Sequence, residues 1–118
     1  MSNHVRVNFD TLRSLSFGSV SSSYVIVGTP FSSPVRMLKV VNTTDSNILI
    51  SYDGVTTQDV VAAGTAFIYD YAANLELPGG QFDQQVGAAV YVKKESASPS
   101  LGNIYVTVIY AAGNNNGN

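Results

Sequence analysis

Cysteine and tryptophan are both absent from this 118-residue sequence, and it holds a single histidine, His4. Without cysteine no disulfide framework is possible. Small secreted domains usually rely on such bridges, so the sequence reads as a protein folded in a cytoplasm. With one histidine and no cysteine, a zinc site has no ligand set. A Ser-His-Asp arrangement would have to recruit His4, and no nucleophile-elbow pattern is present. Gly79-Gly80 belongs to no phosphate-cradling motif. Neither an enzyme nor a cofactor is expected.

Charge is equally scarce. Charged residues make up 12% of the chain, against about 25% in an average soluble domain. Two explanations stand side by side: a surface covered by neighbouring subunits, or a Ser/Thr/Asn-rich extracellular type of β domain. The net charge is −2, and of six basic residues only Lys93 and Lys94 are adjacent. Nucleic-acid binding draws on a concentrated basic face, so no nucleic-acid partner is expected. No apolar run approaches the ~20 residues that span a bilayer. The first residues lack the basic-then-apolar layout of a signal peptide, so no membrane partner is expected either.

What the sequence does have is alternation. Val5, Val7 and Phe9 alternate with polar neighbours, as do Leu15 and Phe17. Runs at 24–27 and 35–41 follow, then 48–52, Val60-Val61, 67–71, 90–92 and 104–110. Period-two patterning rich in β-branched and aromatic residues is the strand signal. It predicts an all-β domain of about eight antiparallel strands in a two-sheet, jelly-roll-like sandwich, with a closed barrel as the alternative. Asp53-Gly54 predicts a type I′ hairpin between the runs at 48–52 and 60–61. Ala63-Gly64 and residues 96–102 mark further turns, and at most one helical turn is expected within 70–77. Residues 1–112 form one domain in this reading, with 1–34 as an interaction arm and the polar tail 113–118 disordered.

The eight carboxylates lie mostly at strand ends, where Asp serves as a turn former. No Asp-x-Asp-x-Asp spacing suggests calcium, and nothing marks a glycosidase pair. Asn42-Thr43-Thr44 matches the glycosylation triplet, a pattern common by chance. Phe67, Tyr69 and Tyr71 share one face of a predicted strand. That row is either sandwich core or an interface stripe, and without tryptophan a sugar-stacking platform is disfavoured.

The segment from Arg36 to Val55 sets a basic-apolar strand before Asn42-x-Thr44-Asp45, and then an apolar strand ending in Ser51-Tyr52-Asp53-Gly54. With Val60-Val61, Gly64, the run from Phe67 to Asp70 and the closing run 104–110, it resembles small β-sandwich virion proteins of tailed bacteriophages. The likeness spans roughly residues 35–110. It implies a structural component of the virion, made in the bacterial host cytoplasm, either a capsid cement or decoration protein or an accessory ring at the head–tail junction. Its partners would be major capsid or head–tail proteins and further copies of itself, as a homo-oligomer. Tyr24, Arg36, Lys39, Phe67, Tyr69 and Tyr71 are the candidate interface residues. The alternative is a receptor- or carbohydrate-binding module on a tail fibre or tip, with a pocket near residues 53–57 or 96–102.

Overall fold

The structure, a computed structural model, describes residues 6–32, 35–70 and 88–112. Within them nine strands form two antiparallel sheets: β1 (Arg6–Phe9), β2 (Arg13–Ser16), β3 (Val25–Ile26), β4 (Val35–Asn42), β5 (Ile48–Ser51), β6 (Asp59–Val61), β7 (Ala66–Asp70), β8 (Tyr91–Lys94) and β9 (Asn103–Ala112). Sheet I has the order β1-β9-β4-β7, with β2 also on β9, and sheet II the order β3-β8-β5-β6. β1 pairs with residues 109–112 of β9 and β2 with residues 103–106. The two are therefore one strand position interrupted at residues 10–12. From β2 onward every link crosses between the sheets except β5 to β6. Two four-stranded sheets wrapped in this way make a jelly roll. The sandwich is open at its sides, so the barrel alternative does not hold.

Side chains explain the layering. Leu38 and Val40 on β4, Ile104, Val106 and Val108 on β9, Ile48 and Ile50 on β5 and Val92 on β8 are all buried. Their alternate neighbours face outward, as a two-residue period demands. Register shifts between Val35 and Met37, and this bulge lets Val35 and Leu38, three apart, both reach the core. Val20, Val27 and Phe31 fill the core from the β2–β3 and β3–β4 connections. Residues 6–32 are thus built into both sheets, because their apolar side chains complete the sandwich interior. Of the expected interaction arm over 1–34, residues 6–32 pack into the sandwich, while residues 1–5 and 33–34, residues 71–77 of the expected helical turn and the tail 113–118 lie outside the described residues.

One end of the sandwich is closed by a polar knot. Asn42, buried at the end of β4, donates its amide to the carbonyls of Ser46, Val61 and Ala62 at 2.9, 3.1 and 3.2 Å. Its Oδ1 accepts from the Thr44 amide and hydroxyl at 2.9 and 2.6 Å. One side chain therefore satisfies backbone groups of two connections, β4–β5 and β6–β7, that would otherwise be buried unpaired. Its amide is fully engaged, so the triplet at 42–44 is a turn device in this fold. Gly102 completes this end at φ +89°, where a Cβ would lie 2.6 Å from the Thr43 carbonyl carbon and 2.9 Å from Thr44 Cα.

The β5–β6 connection corrects a detail of the sequence reading. The hairpin exists, with Ile48 opposite Val61 and Ile50 opposite Asp59, but residues 52–58 form its tip rather than a two-residue turn. Asp53 acts through its carboxylate, and Gly54 carries the positive φ of +81°. Residues 13–16 form the strand expected near Leu15, and Phe17 begins a 3-10 turn instead of continuing it.

Three stability outcomes follow. Gly64 lies at φ +70° with nothing near its notional Cβ, so Gly64→Ala should lose only the conformational cost of about 1–2 kcal/mol. Gly102→Ala adds a backbone clash and should lose at least about 3 kcal/mol. Asn42→Ala, which strands several buried groups, should lose roughly 3 kcal/mol. Urea denaturation of the three variants checks the ranking, and equal losses at Gly64 and Gly102 would contradict the packing of that end.

Candidate functional site

Among the described residues no three of His, Cys, Asp and Glu come together as a metal-holding group. The carboxylates serve turns and tethers. Asp10 accepts from the Thr11 amide at 2.8 Å and from Arg13 at 3.1 Å. Asp45 accepts from the Ser100 amide at 2.8 Å and from the Ser100 hydroxyl, joining the β4–β5 and β8–β9 loops. Asp53 Oδ1 accepts from the Ser51 hydroxyl and from the Val55 and Thr56 amides, each at 2.8 Å. Asp59 accepts from its neighbour Val60 and from the Tyr69 hydroxyl, bridging β6 to β7 across the sandwich. Glu95 accepts from Asn47 at 3.0 Å.

Arg13, one of the scattered basic residues in the sequence, turns out to be buried. It donates to the carbonyls of Thr29 at 2.8 Å and Pro30 at 3.2 Å, pairs with Asp10, and stacks over Phe31 at 5.3 Å from the ring centre. A buried cation needs such compensation. An open groove runs between residues 10–14 and 28–32, and these mutual bonds engage the charged groups that line it.

The six residues singled out in the sequence are not one surface. Phe67 and Tyr69 point inward and pack against the core, with ring centres 5.0 Å apart and Tyr52 set edge-on to Tyr69 at 6.1 Å. Tyr71 lies outside the described residues. Arg36 is half-buried at the bulge of β4. Lys39 is exposed on the outer face of sheet I, between Thr107 and Ile68. Tyr24 lies across the molecule, with the Lys93 ammonium 4.8 Å from its ring centre and its hydroxyl bonded to that of Thr57. A Cβ on Gly54 would sit 3.4 Å from the Tyr91 ring, so the loop 52–58 lies against the outer face of sheet II.

What the structure adds is the placement of exposed apolar side chains. Phe9, Leu12, Phe17, Val55, Val60, Ile68 and Leu101 are the large ones exposed among the described residues. Single exposed apolar side chains are ordinary, but Phe9, Val60 and Ile68 all lie on strands at sheet edges and Leu12 lies in the break between β1 and β2. On the outer face of sheet I, Phe9 continues a row through Ile109 and Met37. Ile68 stands beside Lys39 at the opposite margin. Sequence reasoning missed Phe9 and Ile68 as surface features, since the pattern marks them as strand residues without saying which strands are edges.

The loop carboxylate has a pH consequence. Hydrogen bonds from the Thr56 and then the Val55 amide, and from Ser51, lower the Asp53 pKa to about 2. A folded value below the unfolded one gives stability that is present above about pH 4 and lost as pH falls toward 2. Thermal melts between those limits should show a shallower pH dependence for Asp53→Asn than for wild type, and identical slopes would count against this network.

No protein-family model matches the chain, and comparison with curated proteins finds no match. Among solved structures, it is similar to one reported with the statement that Bacillus endospore appendages form a novel family of disulfide-linked pili. The identity is 14%, the alignment covers 96% of this chain and 93% of that chain, and the TM-score is 0.49. A likeness at this level says nothing further about this chain.

Proposed function

We propose that the protein is a non-enzymatic structural subunit that works through repeated contacts with other protein subunits. The observation carrying this reading is the state of the sheet edges. Natural edge strands are commonly guarded by lysine, proline or bulges, because an open edge invites pairing with another chain. β1 and β7 contain no lysine and no proline, and each displays a large apolar side chain, Phe9 or Ile68. A charge content of 12% fits a surface that is covered in use.

In the setting that the phage resemblance of residues 35–110 implies, the partners are major capsid or head–tail proteins and the protein resides in the virion. The competing binding-module reading needs a pocket at the tip loops. The carboxylate of loop 52–58 is taken up by its own backbone, and loop 96–102 is tethered by Asp45 and buries Pro99. Both loops are better suited to a fixed shape than to a recognition site.

The test is the native state of the protein in material from its natural source. Sedimentation followed by quantitative mass spectrometry should find it in a large assembly at fixed copy number. A high count would match shell decoration, and a low one the head–tail junction or a tip. Recovery only as a free monomer would overturn the reading.

A further inference from the structure

The two margins of sheet I fit each other. Asp10 donates its amide to the Val108 carbonyl at 2.9 Å. In an antiparallel ladder successive residues alternate between facing the partner strand and facing away. Val7 and Phe9 therefore turn their backbone N–H and C=O groups away from β9, toward the side where no described strand pairs with β1. At the other margin, Asn42 donates to the Thr65 carbonyl at 2.9 Å, and the same alternation turns the backbone of Ala66 and Ile68 away from β4. Phe9 is 71% exposed and Ile68 58% exposed. Both side chains lie on the outer face of the sheet.

Direction also agrees. The sheet has four strand positions, each antiparallel to the next. Its two margins therefore run in opposite senses, and a second copy set alongside in the same orientation presents its β1 antiparallel to β7. Sheet II is four strands wide as well. β6 lies under β7 through the Asp59–Tyr69 bond, and β3 lies near β2 through Arg13, so neither sheet overhangs the other in strand number.

We propose that β7 of one copy pairs with β1 of a second copy, with Ile68 opposite Phe9, continuing sheet I from subunit to subunit. This deepens the assembly reading and rests on it. In that register Val7 falls opposite Asp70. Backbone bonds between Phe9 and Ile68 anchor the contact, and the apolar pair of their side chains supplies the register. The contact is heterologous: β7 of each copy meets β1 of the next, so the series closes into a ring or grows as a filament.

Sedimentation velocity on the purified 118-residue chain tests this pairing. Wild type should associate with rising concentration. Phe9→Lys and Ile68→Lys should each raise the association midpoint at least about tenfold while keeping the wild-type melting transition, since both sites are exposed. Val55→Lys, in the β5–β6 loop, should change nothing. Mixing the two edge variants should yield a discrete one-to-one dimer, because each retains the edge the other needs. Ile68→Pro removes an outward N–H while leaving the ladder to β4 intact, and should block association as well. Three results would overturn the pairing: a wild type that stays monomeric, association insensitive to both edge charges, or loss with Ile68→Lys alone, which would indicate a two-fold β7–β7 contact. None of these touches the assembly reading, which is judged by the native copy number.

Discussion

β9 runs for ten residues through sheet I with β4 along one side and both β1 and β2 along the other. Its pairing with β4 is the constraint from which the remaining architecture follows. The ladder from Val35–Tyr110 to Asn42–Ile104 sets Leu38, Val40, Ile104, Val106 and Val108 on one face. That apolar face must be covered, and sheet II, with Ile48, Ile50 and Val92, covers it. The ladder also ends at Asn42, so the residue that ties the β4–β5 and β6–β7 connections sits where the sheet stops. A one-residue slip between β4 and β9 would turn the inward set outward and separate the knot from the carbonyls it holds.

Polar chemistry in this molecule is spent on its own backbone. Asp53 and Asp59 accept local hydrogen bonds beside strand ends, and Asp45 ties two loops together. Arg13 holds a loop rather than a ligand. Asn42, Thr44, Asp45, Ser51 and Asp53, the polar residues that carry the resemblance to phage virion proteins, are the ones that build the loops at the two ends of the sandwich. Any sandwich with this wrap has a use for such residues. Their physical role is turn closure.

A surface with apolar side chains at its sheet edges suits contacts made many times over. A ladder added at an edge draws on main-chain groups that are present whatever the side chains, and specificity then falls to a few outward positions. With few charges to desolvate, neighbouring copies approach without a large electrostatic penalty.

The sequence by itself determined the class of fold. Alternation at 35–41, 48–52 and 104–110 could be satisfied only by strands with one buried face, and the absence of cysteine and the lone histidine removed most site chemistry. Asp53-Gly54 marked a hairpin, although loop length depended on where β5 and β6 stop pairing. Tertiary structure alone decided which strands became edges, because strand order arises from pairings far apart in the chain. Phe9 and Ile68 read as ordinary strand residues until β1 and β7 took the outer positions. Phe67 and Tyr69 read equally well as core or surface until β7 faced them inward. The burial of Arg13 was not legible beyond its near neighbour Asp10, since Thr29, Pro30 and Phe31 come to it only when β2 and β3 lie in opposite sheets.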